Sequence, residues 1–179
     1  MDNEYKNHPV WAYEKIAIVK PDPTWKDKGI RESEELYNLL SAFGVKEVEH
    51  IGSTSIPNLS AKPIIDLMAT ISSLQDIKEI VDMLSLHDWH YVPPELDKQQ
   101  WRRFFVKVKN DKRIAHLHLM QDGEERWEEQ LNFRNKLRAN VDLTDQYAAL
   151  KKQLAEEFNS DREKYTEAKT EFIRNVLYP

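Results

Sequence analysis

Apolar residues recur along this chain with two different periods, and the change between them divides it near residue 124. Before that point, short aliphatic runs separated by Gly, Pro and Ser read as strands, with two helical stretches between them. Residues 15–20 (KIAIVK) predict a strand ended by Pro21-Asp22-Pro23. Leu36, Leu39, Leu40 and Phe43 recur at three and four, predicting a helix that starts at Thr24 or Asp27 and stops at Gly44. Strands are expected over residues 45–51 and 64–71, then a helix over 74–86 capped by Ser72 or Ser73, and a short strand over 89–92. Residues 104–108 and 114–120 flank the turn-like Asn110-Asp111-Lys112 and predict a β-hairpin. From Glu124 onward the period is helical. Helices are expected over about 124–139, 144–158 and 161–177, the last opened by the capping-box spacing of Ser160 and Glu163. The pattern predicts an α+β chain: one domain over 1–179, its sheet-containing core over about 15–120 and helices packed on it over about 124–177.

Composition narrows the function classes. Apolar residues make up 40% of the 179 and charged residues 32%, which suits a soluble, cored protein. The formal charge of −5 argues against duplex nucleic acid as a partner and leaves room for a local basic pocket, so no nucleic-acid partner is expected. There is no cysteine, so disulfides, thiolate nucleophiles and Cys-ligated zinc are excluded. No apolar run is long enough to span a membrane, and the stretch MDNEYKNHPVW lacks the apolar region of a signal peptide. No membrane association is expected, and a cytoplasmic location follows by default. No heptad seam is long enough to argue a coiled coil, so the sequence does not set an oligomeric state.

Three constellations can carry chemistry. Gly52-Ser53-Thr54-Ser55 follows an apolar run, and such a turn can cradle phosphate oxygens or be an ordinary capped turn. Lys62-Pro63-Ile64-Ile65-Asp66-Leu67 puts one acid in the middle of an apolar strand. A buried acid is costly without a partner or a task, so Asp66 is expected either to hold a hard cation or to anchor a polar network. Ile114–Met120 carries His116 and His118, two residues apart and therefore on one strand face. The pair could bind a metal, move a proton, donate to phosphate or face solvent. Arg103 on the partner strand is the expected anion fork, and Arg134 and Arg138 share a helix face. The basic residues after Lys151 read as solvated faces paired with glutamates.

These residues resemble the GrpB family, placed in the nucleotidyltransferase-like superfamily. The resemblance rests on EHIGSTSIP, AKPIIDL, the FF-K strand at Phe104–Lys107, HLHL at 116–119, LNFRNKLR at 131–138, YAALKKQLA at 147–155 and DREKYTEAKTEFI at 161–173. It implies a nucleotidyltransferase-like mixed β-sheet with packed helices, and a Gly-Ser motif followed by metal-binding carboxylates. Taken with the residue pattern, it makes Asp66, His116 and His118 the expected catalytic and metal-binding residues, with Mg²⁺ or Mn²⁺ as the cation. His50, Gly52, Ser53, Thr54, Lys62, Arg103 and Arg134 are implied as contacts to a nucleotide or other small phosphorylated metabolite. Three departures matter, one being that a third acid is expected on a later strand, where this chain has His116 and His118. Met68 stands where a second acid belongs, and a two-metal site needs both. Asn135 stands where the family more often has Asp. Some family relatives are joined to a dephospho-CoA kinase, an association with coenzyme A metabolism. Three readings follow: nucleotidyl transfer to a small molecule, a reduced module that binds a nucleotide or CoA-like metabolite, and a Zn, Mn or Fe hydrolase using Asp66 and the histidines.

Overall fold

The structure is a computed structural model that describes residues 9–179, and most of the polar N-terminal stretch lies outside them. Five strands form one mixed sheet: β1 (Val48–Ile51), β2 (Ile65–Ile71), β3 (Trp89–Val92), β4 (Arg102–Lys109) and β5 (Lys112–Gln121). Their order is β1-β2-β5-β4-β3. Only the central pair, β2 and β5, runs parallel. Asn110 and Asp111 both have positive φ, the turn geometry that matches the twist of a two-residue hairpin.

Period two on the central strands sorts the two faces. Ile65, Leu67, Ala69, Leu117, Leu119 and Phe105 face a core covered by α1 (Thr24–Leu40) and α2 (Lys78–Ser85) through Trp25, Leu36, Leu40, Ile80 and Leu84. Lys107 also turns to this side, where it bonds Glu32 at 2.8 Å and Glu35 at 3.0 Å on α1. The opposite face carries Asp66, Met68, His116 and His118. Its apolar part, Ile51, Met68 and Met120, is covered by Trp127 and Leu131 of α4 (Glu125–Ala139) and by Trp101. Beyond α4 follow α5 (Val141–Glu157), α6 (Arg162–Glu167) and α7 (Thr170–Leu177), after the one-turn α3 (Pro94–Asp97) between β3 and β4. Among the described residues, no helix is long and apolar enough to cross a membrane.

The α+β expectation holds, with four local corrections. Residues 15–20 join no sheet: Val19 makes an isolated bridge to Ala61, and the Ile16 amide donates to the Asn159 carbonyl. Ile16 and Ile18 pack on Leu154, Phe158 and Tyr165, so the alternation serves the C-terminal helices instead. The second helix starts at Lys78, because Ser73 Oγ accepts from the Gln75 amide and makes a turn. Leu74 and Ile77 are buried from that turn all the same. Residues 161–177 divide into α6 and α7 at Ala168-Lys169. The strand expected from residue 45 begins at Val48.

Candidate functional site

Asp66 sits at the centre of the open sheet face. Its parallel register with β5 sets it beside His116, and Met68 beside His118. His116 Nδ1 lies 3.0 Å from Asp66 Oδ1, and His118 Nε2 lies 3.7 Å from the same oxygen. Burial alone would raise the Asp66 pKa, but the hydrogen bond from His116 and the close approach of His118 hold it well below the usual carboxylate range. Burial lowers both imidazoles, His116 to about 4. The set is therefore one carboxylate and two neutral rings.

The neighbours fix where each ring keeps its proton. The His118 Nδ1 faces a guanidinium N–H of Arg102, which can only donate, so Nδ1 is bare and Nε2 carries the proton. Arg102 is held in turn by Asp97 through a fork of 2.9 and 2.6 Å, and lies over the Phe104 ring. His116 donates from Nδ1, which leaves its Nε2 bare, buried and unpartnered among the described residues.

The Gly-Ser turn approaches Asp66 from β1. Gly52 has φ +69° and ψ −172°, a region open almost only to glycine. A Cβ on it would come 2.6 Å from Asp66 Oδ2. Gly52→Ala is therefore expected to cost about 1–3 kcal/mol for backbone strain before Asp66 is displaced. Urea unfolding checks this, and a loss under about 0.5 kcal/mol would refute the close approach. Ser55 Oγ bonds the Gly52 carbonyl at 2.6 Å and closes the turn.

The C-terminal helices complete the site with cations. Lys62, which precedes β2, lies over the Tyr165 ring at 5.0 Å, and Lys169 lies over the same ring at 4.4 Å. Lys151 lies over Tyr147 at 4.9 Å and donates to the Ser60 carbonyl at 2.5 Å. The Tyr147 hydroxyl adjoins Ser53, and its pKa is pushed well up by burial. Burial, with repulsion from Lys169 and Arg162, lowers Lys62 to about 7. Burial, with repulsion from Lys169 and Lys62, lowers Lys151 to about 7, and burial lowers Lys169 to about 8. Asp66 pulls back on all three. Among the described residues, none of the three has a carboxylate within 4.0 Å. At the margin Arg162 pairs with Glu14, which also accepts from the Arg113 amide, while the Arg113 guanidinium donates to the Trp11 carbonyl.

Several expected contacts fall elsewhere. Arg103 pairs with Leu119 on the α2 side of the sheet and donates to the Arg102 carbonyl, so Arg102 is the arginine on the histidine face. His50 pairs with Leu67 and also turns to the α1 side, where a Cβ on Gly29 would overlap its ring. The Thr54 hydroxyl accepts from His50 Nε2 at 2.9 Å and donates to the Ile64 carbonyl at 3.2 Å, so it is spent. Arg134 is a fastener: it bonds Glu49 at 2.6 Å and the His50 carbonyl at 2.9 Å, while Arg138 forks the Ser55 carbonyl. Of the expected anion contacts, Gly52, Ser53 and Lys62 remain around Asp66. Lys151, Lys169, Tyr147 and Tyr165 were not expected there. Their spacing carried a signal: Tyr147, Lys151, Leu154 and Phe158 share one helical stripe, and Arg162, Tyr165, Lys169 and Phe172 share another.

The metal triad does not fit its residues. Among the described residues, no three His, Asp or Glu side chains are disposed to hold a metal. A metal beside Asp66 needs the two imidazole nitrogens that face it bare. The ring protons would then move to His116 Nε2, which is buried with no acceptor, and to His118 Nδ1, against the Arg102 donor. The second-acid position is closed as well, since Met68 is fully buried beneath Trp101, Trp127 and Leu131.

Comparison with known proteins follows the same outline. A family model described as GrpB protein matches residues 15–178. The UPF0157 protein YqkA of Bacillus subtilis is 34% identical over 162 residues, covering 90% of this chain and 46% of YqkA. The chain thus spans about half the length of that relative. The crystal structure of GrpB from Enterococcus faecalis superposes with a TM-score of 0.78 at 31% identity, over 90% of this chain and 94% of that one. Cid1 poly(U) polymerase, with Mg 3′-dATP bound, gives a TM-score of 0.56 at 14% identity, over 89% of this chain and 50% of Cid1. That likeness places the chain in a nucleotidyltransferase-like fold.

Proposed function

The chain belongs to the GrpB family, and we propose that it binds a phosphate-bearing small molecule, a nucleotide or CoA-like metabolite, on the Asp66 face without transferring a nucleotidyl group. The observation that carries this reading is the set Lys62, Lys151 and Lys169. The three are crowded enough to depress one another or be depressed by burial, and Asp66 is their shared counter-charge. Unpaired cations of this kind are costly in a folded chain and gain most from an anion that desolvates with them. Tyr147 and Tyr165 supply apolar walls beside the ammonium groups. The nucleotide carried by Cid1 is one form such a ligand takes. The solitary carboxylate and buried Met68 argue against two-metal transfer.

Nucleotidyl transfer is the second reading, favoured by the bare Nε2 of His116, which Asp66 orients as a general base is oriented. Burial leaves that nitrogen a weak base near neutral pH, its pKa lowered to about 4. A thermal-shift panel of nucleoside phosphates and coenzyme A precursors, run in EDTA and in Mg²⁺, tests the binding reading. Stabilisation by at least one phosphate ligand in EDTA is expected. No shift with any of them, in either condition, overturns it. Labelled nucleotide appearing on an acceptor, and abolished in Asp66→Ala, would establish transfer instead.

A further inference from the structure

We propose that the Asp66 face takes the terminal phosphate monoester of its ligand as a metal-free dianion. The inference rests on the phosphate-binding reading above and adds the ionic form of the ligand. Two observations carry it, one from the histidines and one from the balance of charge.

The histidines are set against a bridging metal. A divalent ion between Asp66 and a phosphate must displace the two ring protons that now face the carboxylate. Each displaced proton meets a worse partner. Among the described residues His116 Nε2 has no hydrogen-bond partner, and His118 Nδ1 looks at an arginine that Asp97 holds in place. In a metal site the outer nitrogen of each imidazole donates to a carboxylate, a carbonyl or water. Here one outer nitrogen has nothing to donate to, and the other already accepts. The arrangement is therefore that of a carboxylate bonded by one imidazole N–H and faced by a second at 3.7 Å.

The charges around Asp66 match a particular anion. Lys62, Lys151 and Lys169, when protonated, face a single carboxylate and leave two positive charges uncompensated. Arg162 shares the Glu14 carboxylate while the Arg113 guanidinium donates to the Trp11 carbonyl, so the two add one further positive charge at the margin. A phosphate monoester carries between about −1.5 and −2 at neutral pH, and three acceptor oxygens for three ammonium groups. A diester carries one negative charge, and a monoester complexed by Mg²⁺ carries none. Either would leave part of the cluster unpaired. The lysines thus do the neutralising that divalent ions do in a two-metal site.

Calorimetric titration compares adenosine 5′-monophosphate, a monoester, with its 5′-phosphate methyl ester, a diester that keeps the ribose hydroxyls and has one negative charge, each in EDTA and in roughly 5-fold excess Mg²⁺ over ligand. Inorganic phosphate serves as a third ligand, and Mn²⁺ is titrated into the protein alongside the monoester with bound ion read by EPR. The monoester is expected to bind in EDTA at least about 10-fold more tightly than the diester, since one charge-assisted contact is worth 1.5 kcal/mol or more. Mg²⁺ should not tighten it, and Mn²⁺ should stay free. Equal affinity for monoester and diester, binding that requires Mg²⁺, or a bound-Mn²⁺ signal overturns this inference and leaves phosphate binding standing. Absence of binding by the monoester and by inorganic phosphate in all conditions overturns both.

Discussion

Met68→Asp is expected to destabilise the protein by about 3–5 kcal/mol, the cost of a buried charge without a partner. In the nucleotidyltransferase-like pattern, this substitution supplies the second acid that the sequence lacks. Here it does not rebuild a metal site. Met68 has no exposed surface, and its side chain fills the space between Ile51, Met120 and the indoles of Trp101 and Trp127. An aspartate there loses the packing that docks α4 on the sheet and brings a carboxylate into an apolar layer. At about 2–4 °C for each kcal/mol in a chain of this size, Tm falls by roughly 6–20 °C. Addition of Mg²⁺ or Mn²⁺ is expected to restore none of it. Calorimetric unfolding with and without metal gives the answer. A stable variant that binds Mn²⁺ would mean that α4 yields easily and that the ancestral site is still latent.

The second large effect concerns the lysines. Lys62→Gln combined with Lys169→Gln should weaken phosphate binding at least about 100-fold, because two charge-assisted contacts of 1.5–3 kcal/mol each are removed. The same variant should be more stable than the wild type without ligand, by about 2–4 °C if one kcal/mol of repulsion is relieved. Opposite movements of affinity and stability distinguish a binding cluster from a structural one. The pH dependence has a definite sign. Lys62 and Lys151 are held near 7, against 10.5 for the ordinary side chain. Between those values the unfolded chain binds more protons than the folded one, so wild-type stability without ligand rises with pH across that window. Below about 7 both states are protonated and the penalty is constant. Removing Lys62 and Lys169 relieves the repulsion on Lys151 and flattens the rise. Unfolding measured from pH 6 to 10, in roughly unit steps, tests this.

Much of the sheet was legible because β2 and β5 carry an apolar face toward α1 and α2 and polar Asp66, His116 and His118 on the other, which keeps the alternation clear. Ile65, Leu67 and Ala69 read as one face, with Asp66 on the other. The arginine on β4 was not legible for the same kind of reason. Phe104 and Phe105 are adjacent and both buried, one facing His116 and His118 and the other the α1 core, so apolarity sets no phase on that strand. The register with β5 decides it and brings Arg102, not Arg103, to the histidine face. The inward lysines were masked by their surroundings. α5 to α7 are rich in Lys and Glu on their outer sides, and a lysine on the apolar stripe looks like its solvated neighbours until its phase with Tyr147 or Tyr165 is counted. His50 and Thr54 lie within the Gly-Ser motif, yet they hold the loop from behind, which a linear motif does not reveal.

Lys62 and Lys151, held near neutrality in the free protein, should be charged by a bound phosphate ligand. NMR titration of the lysine side-chain Cε resonances, with and without adenosine 5′-monophosphate, reads this directly. The expected result is two lysines that titrate near 7 in the free protein and move upward when the monoester binds. Lysines that all titrate near 10.5 in both conditions would contradict it.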